Sequence, residues 1–186
     1  MPVAPRIVTE AETAEIKRVI SYDAETGRLF HRVDRGRGGR CKAGTEILTT
    51  PNKKHGYLLI NVLNRHHLAH RVAWLLGHGE WPTEYVDHID HCKTNNRLAN
   101  LRAVSHGENM KNASLSKSNT TGVAGVHPTG RKRDRFRATA NVDGRQTYLG
   151  DFKDFERAVA VRKEAEARLG YHQNHGMTSP GAAQNV

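Results

Sequence analysis

Residues 86–109 read VDHIDHCKTNNRLANLRAVSHGEN, and this stretch decides the fold. It begins as a short β-strand carrying an Asp-His pair and continues through a polar turn rich in Asn. A second short strand follows over residues 101–104. Ser105 and Glu108 have the S-x-x-E spacing of a capping box, so a helix is expected to begin at Ser105. The stretch therefore predicts the order strand, loop, strand, helix.

This order can bring a strand-end residue, Asp87, close to a residue in the first turns of the helix, Asn109. A carboxylate and an amide oxygen are hard ligands, which suit one Mg²⁺, or Mn²⁺, with several waters retained. His88 is mostly neutral near neutral pH and can take the proton of a nucleophilic water. Asn100 cannot titrate, but its amide can bridge backbone groups and hold the loop that carries His88.

This pattern resembles the HNH nuclease family, whose site is a ββα-metal element. His88 matches the first His of the family name, Asn100 matches the Asn, and Asn109 matches the third position. Flanking motifs look like those of phage-encoded members, including homing endonucleases: LAHRVAW at 68–74, GEWP at 79–82 and NNRLANLR at 95–102. The resemblance implies that His88 and Asn100 act in catalysis and that Asp87 and Asn109 bind the metal.

Two departures and several alternatives accompany this assignment. His91 and Cys92 stand where relatives have Gly followed by a polar residue, and a positive φ at His91 would cost about 1 kcal/mol. Neighbours on a strand point to opposite faces, so Asp87 and His88 reach one phosphate only if the strand twists or ends there. His106 is a rival third ligand. A zinc site built from His88, His91 and Cys92 is a further alternative.

The preceding residues predict a helix and two hairpins. Thr9 and Glu12 have capping-box spacing at the start of a helix over residues 9–20. A first hairpin is expected near residues 22–30, and a second over residues 57–69 with its turn at Asn64 and Arg65. A short helix over 70–77 then carries Arg71, which we interpret as a phosphate contact, with His70 as a packing residue. Residues 1–112 form the expected nuclease module, with its ββα core at about 83–112.

The C-terminal residues predict a second module. Residues 113–122 are rich in Ser, Asn and Thr and are interpreted as a linker. Residues 123–171 contain an alternating strand, an Asp-Gly hairpin signal at 143–144, a return strand and a helix. Residues 172–186 are polar and are expected to be a disordered tail.

This second module is similar to the ethylene-response-factor (APETALA-type) DNA-binding domain in its Gly125-Val126, YLGDF (148–152) and AVA (158–160) motifs. Plant members carry Trp where Tyr148 stands. The resemblance implies a sheet face that binds DNA, without implying the same base specificity. The side chains assigned to this contact are Arg135, Arg137, Arg145 and Tyr148.

Bulk composition agrees with a nucleic-acid partner. The formal net charge is +10 over 186 residues, with 37% hydrophobic and 26% charged residues, which favours a polyanion. The two cysteines form no C-x-x-C pair, and no apolar run reaches the roughly 18 residues of a membrane span. The N-terminus lacks the apolar core of a secretion signal, so a cytoplasmic location is expected. The resemblance to phage-encoded nucleases implies a phage gene and a bacterial host cell.

The sequence thus predicts an α+β chain in which hairpins precede a ββα-metal HNH core and a three-stranded sheet plus helix follows it. The expected activity is metal-dependent hydrolysis of double-stranded DNA, with one nick per site, by a monomer or weak dimer. One rival is a DNA-binding regulator with an inactive nuclease site. Another is an RNA-directed nuclease, although the sheet face offers only one aromatic residue for base stacking, Tyr148.

Overall fold

The structure is a computed structural model that describes residues 8–36, 40–130, 132, 134–142 and 144–178. The chain divides into two compact units, Met1–Val104 and Ser105–Val186. Both mix α-helices with small antiparallel sheets, so the chain is of the α+β class, compatible with an HNH domain. Within the part of the chain described, no helix is long and apolar enough to cross a membrane.

Among the described residues, the first unit contains three strand pairs and two α-helices, and its main core is built from both helices and from strands of the first two pairs. Antiparallel pairing joins β1 to β2, β3 to β4 and β5 to β6. The elements are α1 (Glu10–Val19), β1 (Ile20–Asp23), β2 (Arg28–His31), β3 (Leu59–Val62), β4 (Arg65–Leu68), α2 (Ala69–His78), β5 (Tyr85–His88), a 3₁₀ turn (Leu98–Asn100) and β6 (Leu101–Val104).

Helix α1 begins at the capping box that the sequence predicts. The Thr9 side chain accepts from the Glu12 backbone N–H, and the Glu12 carboxylate accepts from the Thr9 N–H. The apolar stripe of α1 is fully buried at Ile16 and Val19. It packs with residues of α2, β2 and β3, so α1 closes one side of the core of this unit.

Helix α2 joins the N-terminal core to the β5–β6 pair. Its residues Val72 and Leu75 belong to the core shared with α1. Ala73 belongs instead to a second cluster with Val86 of β5 and Leu101 of β6, against which Trp74 packs. One helix therefore holds the strands that carry the Asp-His pair against the rest of the unit.

The β3–β4 hairpin turns one residue earlier than the sequence predicts. The expected turn was Asn64 and Arg65, but Arg65 pairs with Val62 and the two turn residues are Leu63 and Asn64. Both turn residues have positive φ, 52° and 57°. Two left-handed residues match the right-handed twist of a two-residue hairpin, and that geometry outweighs the reluctance of Leu63 to adopt positive φ.

The second unit contains a three-stranded antiparallel sheet in the order β7-β8-β9 and a helix packed mainly on β8. A β-bulge interrupts the β8–β9 register between Ala138 and Thr139. Ala158 and Ala165 are the small buried residues of the helix face. The elements are α3 (His106–Lys111), β7 (Val126–Thr129), β8 (Arg135–Val142), β9 (Arg145–Phe152) and α4 (Phe155–Arg168).

Segments that the sequence assigns to a linker and a disordered tail hydrogen-bond to each other in the second unit. The Gly176 N–H donates to the Ala113 carbonyl at 2.9 Å, and the Leu115 N–H donates to the Met177 carbonyl at 3.0 Å. Asn119 accepts through its side chain from two further backbone N–H groups of 113–122. Polar composition here supplies turn-forming side chains. Residues 179–186 of the expected tail lie outside the described residues.

Candidate active site

The candidate site is built on the β5–β6 pair and the loop that joins its strands. Asp87 lies opposite Arg102, and His88 lies opposite Leu101. Along β5, Val86 and His88 are buried while the other two residues are half-buried. Strand geometry therefore directs Asp87 and His88 to opposite faces, and β5 ends at His88. The sequence predicts that both side chains act on one phosphate. That prediction requires the chain to leave the regular strand geometry at His88.

His88 is held in a buried aromatic and polar environment. It is 3% exposed, and its Nε2 lies 3.0 Å from Oδ1 of Asn96. The ring of His70 meets it edge-on, with centroids 4.9 Å apart, and the ring of Tyr57 stacks at 6.0 Å. Burial lowers the pKa of His88, against the raising effect of the Asn96 bond and of the Asp87 charge. His88 is therefore neutral at neutral pH, as a proton acceptor must be.

His70 shares that environment and is also neutral. It is 4% exposed, and its ring centroid lies 5.0 Å from that of Tyr57. Burial holds the pKa of His70 well below its ordinary value, and the charges of His88 and Arg71 lower it further. Its Nδ1 is buried without a hydrogen-bond partner. His70 therefore packs against His88 as a neutral ring, in agreement with the packing role expected from the sequence.

Asp87 is oriented by an arginine that the sequence analysis did not single out. Nε and Nη2 of Arg102 both donate to Oδ2 of Asp87, at 3.1 and 2.9 Å. The side chains are 14% and 28% exposed, respectively, so the pair lies close to the surface. Cross-strand register alone brings the two residues together. Arg102 could have been found from the sequence only once the register of the two strands was known.

Asn100 and Asp90 hold the loop through paired side-chain hydrogen bonds. Asn100 accepts from the Asp90 N–H at 3.1 Å and donates to the Asp90 carboxylate at 2.9 Å and to the Asn95 carbonyl at 2.8 Å. Asp90 also accepts from the Cys92 N–H and from the Asn95 amide. Burial alone would raise the pKa of Asp90, but these hydrogen bonds outweigh it and lower the pKa.

His91 occupies the tight position of this loop. Its φ is 62°, the left-handed conformation that a glycine would adopt without strain. The side chain is 8% exposed, so burial accompanies the strain. From the sequence, His91 stands where relatives have glycine, and a positive φ there was predicted to cost about 1 kcal/mol of conformational free energy. The observed φ is positive, so this residue adopts the conformation to which that cost applies.

Asn109 and its rival His106 lie in α3, which belongs to the second unit. The helix begins at Ser105, and the capping box of Ser105 and Glu108 is present as the sequence predicts. Asn109 is half-buried and His106 is exposed. The pairing of Asn109 with Asp87 stays a prediction from the sequence.

The described residues contain no side-chain cluster that supports the zinc alternative. Within the ranges that the structure describes, no three His, Cys, Asp or Glu side chains converge closely enough to hold a metal ion. His88 instead contacts an amide, and the Cys92 sulfur lies 3.3 Å from the Thr94 hydroxyl. A divalent ion held by one carboxylate, one amide oxygen and water would not form such a cluster, so Asp87 remains the candidate ligand of this unit.

Arg71, assigned from the sequence to a phosphate contact, is used inside the first unit. Its side chain is 6% exposed and donates to the carbonyls of Pro82 and Glu84 at 2.6 and 2.8 Å. The guanidinium also lies 5.4 Å from the ring centroid of Trp81. These contacts fix the connector between α2 and β5, so Arg71 acts as a structural residue and not as a surface cation.

In the second unit, the polar sheet face carries two of the three arginines expected there. The Arg137 guanidinium donates to both carboxylate oxygens of Asp151, at 2.9 and 3.0 Å, and lies 5.5 Å from the centroid of the exposed Tyr148 ring. This hydrogen bond holds the pKa of Asp151 below its usual range. Arg135 donates to the Asp151 carbonyl at 3.4 Å. Asp151 was not foreseen as part of this surface.

The third arginine, Arg145, lies elsewhere. The register places it opposite Val142, on the face that also carries Ala138 and Ala140. Arg145 and Tyr148 are separated by an odd number of positions on β9, so strand alternation alone directs them to opposite faces. The β-bulge between Ala138 and Thr139 determines that Tyr148, and not Arg145, shares the face of Arg137. The assignment of Arg145 to one cluster with Arg137 and Tyr148 is therefore corrected.

Residues 67–111 of the chain match the HNH endonuclease family. The match runs from β4 through the loop that carries His88 to the end of α3, so this segment is similar to HNH endonuclease domains, and that similarity suggests a nuclease. Nucleases of this family generally use a divalent metal.

Comparison with curated proteins finds "Protein 3.8" of Escherichia phage T7, which is 36% identical over 78 residues. The alignment covers 41% of this chain and 64% of the relative, so the chain spans less than two thirds of the length of that protein. No solved structure shows a significant match to the chain. The second unit lies almost wholly outside the segment that matches the family.

Proposed function

We propose that this chain is a metal-dependent DNA endonuclease that hydrolyses one phosphodiester of a duplex per site. The single observation that carries the proposal is the match of residues 67–111 to the HNH endonuclease family. It covers Asp87, His88 and Asn100, and the buried neutral His88 is chemically suited to accept a proton. The phage T7 relative supports the expectation of a phage gene that acts inside a bacterial cell.

The metal of the proposed reaction is a divalent ion of the Mg²⁺ type. Asp87 contributes a carboxylate, the sequence adds the amide oxygen of Asn109, and both are ligands that Mg²⁺ prefers. When bound, such an ion stabilises negative charge on the phosphate and on the leaving oxygen. Arg102 holds the Asp87 carboxylate in a fixed orientation through Oδ2. This donor set fits a hard cation better than zinc.

The side chains of the protein accept the proton of the attacking water and hold the proposed base in position. His88 takes the proton of the attacking water as the water oxygen bonds to phosphorus and the bond to the leaving oxygen breaks. Asn100 keeps the loop closed around this histidine through its bonds to Asp90 and Asn95. Tyr57 and His70 pack on the imidazole and limit its rotation.

The second unit is proposed to bind the duplex through the polar face of its sheet. Arg135, Arg137 and Tyr148 are exposed there, and such side chains contact phosphates or base edges. The similarity of this segment to the ethylene-response-factor type of domain supports the proposal. Asp151 fixes the direction of the Arg137 guanidinium before DNA arrives. The role of the unit is affinity, and tethering raises the local concentration of DNA at the nuclease unit.

Relaxation of supercoiled plasmid tests the activity. Wild-type protein and His88→Ala are incubated with plasmid and Mg²⁺, with EDTA as the metal-free control. The proposal expects nicked circles from the wild type alone and none with EDTA. Removing a general base lowers the rate by roughly 10²- to 10⁴-fold. A wild-type protein that shifts the plasmid in a gel but never nicks it would contradict the nuclease and favour a DNA-binding regulator.

A further inference from the structure

Asn96 is the hydrogen-bond partner of the proposed base and is itself almost completely buried. Its side chain is 2% exposed, and Oδ1 lies 3.0 Å from Nε2 of His88. An amide oxygen has lone pairs and no proton, so the ring nitrogen that faces it must donate. A neutral imidazole donates from one nitrogen only. The contact therefore selects the tautomer of His88 with the proton on Nε2 and the lone pair on Nδ1.

The peptide of Asn96 is held from the other side by the β1–β2 hairpin. The Tyr22 hydroxyl donates to the Asn96 carbonyl at 2.7 Å, and the Leu98 N–H donates to the Ala24 carbonyl at 3.0 Å. Burial raises the pKa of Tyr22 to about 12, so this hydroxyl keeps its proton. The hairpin lies outside the residues that match the HNH family.

Gly27 in the hairpin turn lies directly against that peptide. Its φ is 77°, and an added Cβ would lie 2.6 Å from the Asn96 carbonyl carbon and 2.5 Å from the Arg97 nitrogen. Only a glycine permits this approach, because no methyl group fits between the two backbones. The hairpin and the loop therefore meet as rigid surfaces at the residue that contacts His88.

We propose that Asn96 is a positioning residue that keeps His88 in the Nε2–H tautomer, and that the β1–β2 hairpin fixes Asn96 in place. The inference rests on the proposed function, because the role of the tautomer is to present Nδ1 to the attacking water. Nδ1 takes the water proton as the oxygen bonds to phosphorus, the bond to the leaving oxygen breaks, and that oxygen takes a proton from solvent. A histidine in the other tautomer would present an N–H to the water and could not accept its proton.

The tautomer can be read without any substrate. Full-length protein with ¹⁵N-labelled histidine, free of DNA and metal at about pH 8, is examined by long-range ¹H–¹⁵N correlation, and His88→Ala assigns the signal. An imidazole with an ordinary pKa of about 6.5 is already neutral at that pH. The expected pattern is a single Nε2–H tautomer. An Nδ1–H pattern or a mixture of both tautomers would overturn the proposal.

Two substitutions of Asn96 by residues of similar size separate its role as a hydrogen-bond acceptor from its role in packing. Asn96→Leu removes the acceptor and should give mixed tautomers, whereas Asn96→Asp keeps an acceptor oxygen and should retain Nε2–H. Asn61→Leu, at an exposed residue of β3, is the control for an Asn-to-Leu change in the same unit. If Asn96→Leu leaves the tautomer unchanged, the proposal is wrong.

The activity of the same variants gives a second readout. The rate of nicking at saturating DNA should fall by roughly 10²-fold in Asn96→Leu, with unchanged DNA affinity, and Asn96→Asp should recover most of it. Should Asn96→Leu fail to fold, Tyr22→Phe loosens Asn96 without entering the site, and a smaller loss of rate with partial tautomer mixing is expected. Wild-type rates and tautomer in Tyr22→Phe would contradict the role of the hairpin.

Failure of this inference is distinguishable from failure of the nuclease assignment. If the wild type shows the Nε2–H tautomer, dependent on Asn96, but cuts no DNA, the proposed function fails while the control of the tautomer by Asn96 stands. If the wild type cuts DNA and Asn96→Leu cuts at the same rate, the positioning role fails and the nuclease stands.

Discussion

The loop between β5 and β6 and the polar sheet face of the second unit are both candidate DNA-contacting regions, but they are organised in opposite ways. In the loop, half-buried side chains bond to backbone groups, as Asn100 does with Asp90 and Asn95. On the sheet face, side chains bond to each other at the surface, as the exposed Arg137 does with the half-buried Asp151. Buried bonds to backbone fix a geometry, whereas exposed ion pairs add little to stability. This difference matches the proposed roles, chemistry for the loop and DNA contact for the sheet face.

Asn100→Ala should give the largest effect, because it removes three hydrogen bonds from the loop. Each is worth about 1 kcal/mol, so the unfolding free energy of the first unit should fall by about 3 kcal/mol, and nicking should be lost. Both tryptophans, Trp74 and Trp81, lie in that unit, so urea unfolding followed by tryptophan fluorescence reports on it selectively. The exposed Asn61→Ala is the control, and a change in Asn100→Ala as small as in that control would contradict the loop account.

Gly27→Ala and Gly44→Ala form a matched pair that tests whether the hairpin supports the loop. Both glycines have positive φ, but an added Cβ at Gly44 meets no atom within 4 Å, whereas at Gly27 it meets backbone. Conformational strain should cost each variant about 1 kcal/mol. The collision should cost Gly27→Ala about 1–2 kcal/mol more and also reduce nicking. Equal stability and equal nicking rates in the two variants would show that the close approach has no consequence.

Acid should weaken the first unit before it weakens the sheet face. His70 has a lowered pKa in the folded protein, so below about pH 6.5 the unfolded chain binds a proton that the folded chain does not. The unfolding free energy should therefore fall as the pH drops from 7 to 5. His70→Leu should lose less stability over that interval than the wild type, as measured by urea unfolding at each pH. An identical slope in both proteins would contradict a buried neutral His70.

Arg137→Gln should give the smallest effect on stability and a clear effect on binding. The side chain is exposed, so the thermal midpoint should not change measurably. DNA affinity should fall about tenfold, and the salt dependence should lose about one counterion if Arg137 contacts a phosphate. Arg145→Gln, on the opposite face, is the control and should bind as the wild type does. Weaker binding by Arg145→Gln alone would show that the other face meets DNA.

The sequence predicted the elements of the nuclease segment well where local signals exist. The capping boxes at Thr9 and Ser105 mark helix starts, and a strand, a polar loop and a second strand are present over 85–104. Local backbone groups and nearby side chains determine such features. The turn of the β3–β4 hairpin was misplaced by one residue, because the preference of Asn for turns did not specify which neighbour would share it.

Contacts between distant residues were not readable from the sequence. Tyr22 bonds to the carbonyl of Asn96 across 74 positions of sequence, and Arg102 meets Asp87 only through strand register. The burial of Arg71 was likewise hidden, because an arginine beside a histidine is compatible with both a surface cation and a packed one. Such features depend on packing between elements.

The division of roles between the two regions is tested most directly by measuring nicking and DNA affinity together in His88→Ala and Arg137→Gln. The account predicts that His88→Ala binds the plasmid as tightly as the wild type and does not nick it. It predicts that Arg137→Gln binds more weakly but nicks at the wild-type rate once DNA is saturating. Nicking by His88→Ala at the wild-type rate, or loss of nicking by Arg137→Gln at saturating DNA, would contradict it.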